Sequence, residues 1–440
     1  MNRYVGCCII AASASLPCAG CAPPGAHPIG LALPPEHMAA PASSAGRYIK
    51  HVVIVVQENR SFENFFAGFP GADAPMTGRL RNGKVVRLRR ITFDSVDFGH
   101  GWRAAVVDWN HGKMDGYPRA AYAYLDRSQV APYWTMAKRY VLADAMFPTE
   151  FGPSFTAHLD LIASTANLAP SRSEVNYPSA LEWDCQAPPG TLTSTIDRRR
   201  KISQTGPFPC FTQFRTMADT LDAAHVSWRY YAPAVYDGGG VWSAFAAIRS
   251  VFGGPDWSAD VVSPQTRVLE DAKAGRLAAV SWVVPDALDS DHPALRSDTG
   301  PSWVAGVVNA IGKGKDWNTT AIVVLWDDWG GWYDNAKPPQ LDFAGLGIRV
   351  GCIILSPYAR HGYVSHTQYE FGSVLRFVEE TFGLPPLGPP SFGYTDQRAK
   401  SIVDAFDFTQ APRAFAPIPA PYPPDYFLQR PPSHEPPDTQ

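Results

Sequence analysis

An α/β fold with a mostly parallel central sheet is the architecture this 440-residue sequence predicts, on three observations. Apolar runs recur at 51–56, 278–284, 321–326 and 348–355, mostly continuous rather than alternating, as strands covered on both faces require. Helical spacing of three and four falls between them, over Phe155 to Ala163, Met217 to Ala224, Trp303 to Ile311 and Ser373 to Phe382. Such alternation of strand and helix is the pattern of an α/β sheet. Third, two of the runs end in oxygen-rich pairs: Glu58-Asn59 directly follows His51 to Val56, and Asp327-Asp328 lies just past Ala321 to Leu325. Ligands of open α/β sheets gather outside the carboxyl ends of the strands, so the two pairs are expected to meet.

Composition supports a large folded core, with 45% hydrophobic and 12% aromatic residues. A formal net charge of -3 gives no general attraction to nucleic acid, and no segment after the start approaches a membrane span. Residues 1–21 read as an export signal: Met1-Asn2-Arg3 precedes an apolar and small-residue stretch to Leu16. Cys18-Ala19-Gly20-Cys21 resembles a bacterial lipobox, with Cys18 where an aliphatic residue is usual. Attachment through a lipidated Cys21 and release as a periplasmic or secreted protein are both left open.

Residues 22–46, rich in Pro, Ala and Ser, read as a flexible tether; 47–390 hold the folded domain, and 391–440 form a Pro-rich extension that wraps the surface or dangles. Arg79 to Leu88 carries the Asn82-Gly83 signature of a tight hairpin. Beyond the leader, Cys185 and Cys210 flank a polar, Pro/Gly-rich excursion and are expected to pair in an oxidising compartment; Cys352, inside an apolar run, is expected to be a buried thiol.

Glu58, Asp327 and Asp328 with the amide oxygen of Asn59 form a hard-oxygen set suited to a divalent cation. Clustered carboxylates repel and lose ionisation unless a cation compensates. Ser154, in Gly152-Pro153-Ser154-Phe155-Thr156, opens a helical pattern. It is either an ordinary N-cap or, beside a cation, a nucleophile. His100, His111, His158 and His292 fall in polar contexts; His292, shortly after the run ending at Val284, can reach the same rim and contact phosphoryl oxygens. For each histidine a structural role is the alternative. A Gly-x-Ser-x-Gly elbow and a phosphate-binding Gly-Lys-Ser/Thr loop are both absent from the sequence.

Gln57-Glu58-Asn59-Arg60-Ser61-Phe62, Gly112 to Tyr117, Gly152-Pro153-Ser154, Asp291-His292-Pro293 and Trp326 to Asp334, in this order, resemble the bacterial phosphoesterase family of phospholipases C and acid phosphatase A. The resemblance implies a three-layer α/β/α, alkaline-phosphatase-like fold and hydrolysis of a phosphate ester, phospholipid or soluble monoester, through a phosphoserine. By position it implies Glu58, Asn59, Ser154, Asp327 and Asp328 as metal ligands, Ser154 as nucleophile, and Asn59, His100 and His292 as phosphate contacts. Asn335 and Thr156 depart from the family's usual histidine and proline. His158 matches relatives, and its place one turn after Ser154 is read as orienting that helix. Sulfate-ester cleavage fails because Ser154 lacks a Pro-x-Arg context; an exported phosphate-ester-binding protein with a non-hydrolytic site is the alternative.

Overall fold

The computed structural model describes residues 45–434, so the expected export signal, the lipobox and nearly all of the tether lie outside the described residues. Nine strands form the main sheet: β1 (His51–Gln57), β2 (Val141–Phe147), β3 (Trp228–Tyr231), β4 (Val261–Val262), β5 (Val280–Val283), β6 (Thr320–Trp326), β7 (Val350–Leu355), β8 (Tyr363–Ser365) and β9 (Tyr369–Glu370). Their order is β4-β3-β5-β1-β6-β7-β2-β8, with β9 also pairing β2. Every pairing is parallel except those of β7, which runs antiparallel to β6 and β2.

The continuous apolar runs are explained by burial on both faces: each residue of β5, β6 and β7 is buried, and β1 is buried after His51. Two groups of helices supply that cover. One contains α1 (Ala131–Arg139), α3 (Arg267–Ala274) and α4 (Gly300–Lys313); the other contains α2 (Ser154–Ala163) and α5 (Phe371–Phe382). Together with the sheet they make three layers.

Strand β2 was not legible as an apolar run because Asp144 interrupts it; that carboxylate accepts from the Asp73 backbone N–H at 2.8 Å and bonds His366 Nδ1 at 2.9 Å. The expected hairpin forms from Thr77–Arg79 and Val85–Arg87, paired antiparallel. Cys185 and Cys210 are joined, and Cys352 is a buried free thiol whose pKa burial pushes up. The proline-rich C-terminal segment lies against the domain: Phe427 is buried edge-on to Trp303 of α4, and Arg430 pairs with Asp286 and Asp289.

Candidate metal and phosphate site

Parallel register builds the site. Gln57 of β1 lies opposite Trp326 of β6, so Glu58 and Asp327 each stand one residue beyond the same rim. Strand β5 flanks β1 on the other side, and its carboxyl end leads through residues 284–291 to His292. Because antiparallel β7 separates β6 from β2, β2 runs in the direction of β1; residues 148–153 then carry the chain from its end to Ser154. Three strand ends thus converge on one place.

The N-cap of α2 is Pro153, and Ser154 is the first helical residue; its hydroxyl lies 3.3 Å from Asn59 Oδ1 and 3.4 Å from Asp328 Oδ2. The cap reading is therefore displaced, and the hydroxyl stands where the helix's unpaired amides and positive dipole end point. Asp327 Oδ1 accepts from the Asn59 backbone N–H at 2.9 Å, and Asp328 Oδ1 accepts from the Gly330 N–H at 2.7 Å. Gly330 is required: its φ is +58°, and an added Cβ would stand 2.0 Å from the Asn59 carbonyl oxygen.

His158 enters the same cluster, where sequence reasoning had it orienting the helix. Its Nε2 is 2.8 Å from Glu58 Oε1 and 3.9 Å from Asp327 Oδ2. Burial lowers its pKa against the opposing pull of Asp327 and Asp328, favouring the neutral imidazole that a metal ligand needs. The signal was present, since Ser154 and His158 are one helical turn apart and share a face.

Glu58, His158 and Asp327 each offer one ligand atom, all within 4.8 Å of one another. Asp327 Oδ2 is buried without a hydrogen-bond donor, and burial with the neighbouring Glu58 charge pushes its pKa up to about 7. The Asn59 amide gives a second test. With Nδ2 toward the imidazoles it bonds His100 Nε2 at 2.8 Å and His292 Nε2 at 3.0 Å. That suits neutral rings whose Nδ1–H groups donate to Phe98 O at 2.7 Å and Pro293 O at 2.6 Å. Oδ1 then faces the carboxylates of Glu58 and Asp327, a repulsion that a cation relieves.

Turned over, Nδ2 donates to Glu58 Oε2 at 3.0 Å and Asp327 Oδ1 at 3.3 Å. Oδ1 must then accept from both Nε2 atoms, so both rings need a second proton. The donor set fits a divalent cation, with neutral histidines on the far side of Asn59.

Support behind this layer is also buried. Asp291 Oδ2 accepts from Tyr133 OH at 2.6 Å, Trp326 Nε1 at 3.1 Å and Gln57 Nε2 at 3.4 Å, and burial raises its pKa to about 7. The Arg60 side chain donates to Asp291 O at 3.0 Å; burial lowers its pKa to about 10 against the pull of Asp291 and Asp97. Tyr177 OH lies 2.9 Å from His100 Nε2, a contact that no local pattern foretold because Tyr177 sits in an irregular segment. His111 is outside the cluster and packs on Trp109.

A model described as the Phosphoesterase family matches residues 49–385. The chain belongs to that family. Among similar members, hemolytic phospholipase C of Pseudomonas aeruginosa is 24% identical over 407 residues, covering 76% of this chain and 53% of the relative. Phospholipase C A of Mycobacterium tuberculosis is 25% identical over 451 residues, covering 84% of this chain and 79% of the relative. The chain thus spans about half the length of the first of these relatives. A solved member of the alkaline phosphatase superfamily from Vibrio parahaemolyticus is 10% identical with a TM-score of 0.38, covering 84% of this chain and 74% of the other.

Both departures from the family pattern lie off the cluster. Asn335 accepts from Arg349 Nη2 at 2.7 Å and donates to Asp73 Oδ1 at 3.0 Å, while the Thr156 hydroxyl donates to Pro153 O at 3.0 Å. Trp329, Trp332 and Tyr333 are buried and pack the loop: Trp329 Nε1 donates to Asp108 Oδ2 at 3.1 Å, and Tyr333 stacks on Tyr122.

Proposed function

We propose that this chain is a metal-dependent phosphoric ester hydrolase of the acid phosphatase or phospholipase C type that works through a phosphoserine at Ser154. The observation that carries the reading is a helix-opening serine hydroxyl within 3.4 Å of Asp328, beside a buried Glu58–His158–Asp327 cluster. Glu58, Asn59, Ser154, Asp327, Asp328 and His158 would hold the ion. When bound, a divalent cation of this kind supplies neutralisation of phosphoryl charge.

The chain's own groups account for the rest of the sequence. The Ser154 oxygen attacks phosphorus in line with the departing alcohol, and Asp328 Oδ2 is a carboxylate acceptor for the hydroxyl proton. Amides at the start of α2 point toward the phosphoryl oxygens. Asn59, His100 and His292 form a connected set that orients the ester, and water then cleaves the phosphoserine. Because phosphoryl transfer depends mainly on positioning and electrostatics, losing one member of this set costs on the order of 100-fold in rate. The leader pattern of residues 1–21 and the Cys185–Cys210 disulfide support an exported protein, periplasmic, secreted or lipid-anchored at Cys21.

Phosphate release from 4-nitrophenyl phosphate and phosphocholine release from phosphatidylcholine, each with and without chelator, test the reading. Turnover is expected to vanish with chelator and in Ser154→Ala, with the circular dichroism of the variant unchanged. Full activity in Ser154→Ala overturns the nucleophile assignment, and binding without turnover in the native chain would favour a non-hydrolytic protein.

A further inference from the structure

Next to the site lies a cavity of about 510 Å³ that the reaction as described leaves without a role. Its inner wall is shared with the site: Gly101 directly follows His100, and Tyr177, whose hydroxyl is 2.9 Å from His100 Nε2, lines the cavity. One side of the cavity is the segment carrying Tyr177 and Leu181. The other includes Leu192 and Gln204 of the excursion closed by the Cys185–Cys210 disulfide. Leu181 and Leu192, both lining the cavity, are 59% and 42% exposed. Tyr177 stacks on Trp183 at 4.8 Å, and Trp183 meets Phe155 of α2, which fixes this wall relative to the nucleophile.

We propose, on the basis of the hydrolase reading above, that this cavity seats the organic group of the ester, and that the preferred substrates carry an uncharged, partly apolar alkyl or aryl group. Three observations carry it. The volume falls within the range of about 300–1,000 Å³ typical of small-molecule sites. Among the described residues no charged side chain lines the cavity, so a second phosphate or a carboxylate on the organic group would lose its hydration without a compensating cation. The two exposed leucines offer apolar cover, while Asn176 and Gln204 provide amides for hydroxyl or ester oxygens. The Cys185–Cys210 excursion thus acquires a function: it carries the specificity wall.

The full-length chain is assayed on hexyl phosphate, whose organic group is uncharged, and on 6-(phosphonooxy)hexanoate, the same alkyl ester ending in a carboxylate. Native protein is expected to favour hexyl phosphate by about tenfold or more in kcat/KM. The double variant Leu181→Arg, Leu192→Arg, both at exposed positions, is expected to narrow that preference about tenfold, mainly through KM for the carboxylate-bearing ester. Ala180→Trp, which fills the cavity, is expected to raise KM for hexyl phosphate about tenfold, with folding checked by circular dichroism. Equal use of both esters by native protein, or an unchanged ratio in the double variant, overturns this assignment while leaving the hydrolase reading intact. Failure of native protein to cleave both of these esters, 4-nitrophenyl phosphate and phosphatidylcholine alike overturns the hydrolase reading and this assignment together.

Discussion

At Asn59 the backbone and the chemistry make one demand. Its φ is +53°, in the left-handed region that asparagine tolerates better than other non-glycine residues. Its amide stands between two imidazoles and a carboxylate cluster. Asn59→Asp keeps the shape, removes both amide hydrogens and adds negative charge beside Glu58. Divalent-metal content measured by elemental analysis is expected to equal or exceed that of the native chain, while kcat falls on the order of 100-fold. Unchanged kcat would mean that the amide's contacts with His100 and His292 do not orient the ester. Glu58, Asp327 and Asp328 were legible because each is a charged residue ending an apolar run. His158 was underread because a histidine one turn into a helix has many structural uses, and only tertiary packing brings Glu58 to it.

Elements deliver these residues by register, and register explains what was readable. Continuous burial marks a strand whichever way it runs, so the 348–355 run was recognisable as a strand, whereas its antiparallel direction depends on connections that apolar pattern does not encode. Short β3 and the Asp144-interrupted β2 escaped for lack of an apolar run. Next to His292, the connection after β5 is anchored by the carboxyl group of Asp291. Asp291 Oδ2 takes all three donors while Oδ1 is buried without a partner, which is where a proton fits. Its folded-state pKa is raised from the usual 3.8 to about 7, chiefly by burial.

The native state therefore keeps a proton that the unfolded chain releases, and this contribution to stability is complete below about pH 4 and fades as pH rises through about 7. The slope is on the order of 1 kcal/mol per pH unit within that window. Asp291→Asn supplies an amide oxygen for the three donors and an NH2 group in place of the proton. Denaturant melts from pH 4 to 7 are expected to lose most of this slope in the variant. An identical slope in both proteins would place the titration elsewhere.

Across the whole molecule, the C-terminal segment joins distant parts of the sheet's cover to the site. Among the described residues no helix is long and apolar enough to cross a membrane. Ile418 and Phe427 are buried, the Ile418 backbone bonds both ends of the Asn309 amide of α4, and Arg430 grips Asp286 and Asp289 ahead of His292. Its proline content hid this: the sequence lacks the apolar density to fold alone, yet a few well-spaced anchors suffice when the partner surface already exists. Each buried anchor is worth about 1.5–3 kcal/mol. A chain ending at Gln410 is expected to melt several degrees lower, and Phe427→Ala alone to cost about 3–5 kcal/mol. Because Arg430 holds the connection that carries His292, Arg430→Ala is expected to raise KM for the ester while lowering the melting temperature less than the truncation does. A truncated chain with the native melting temperature and KM would reduce the segment to a passive tail.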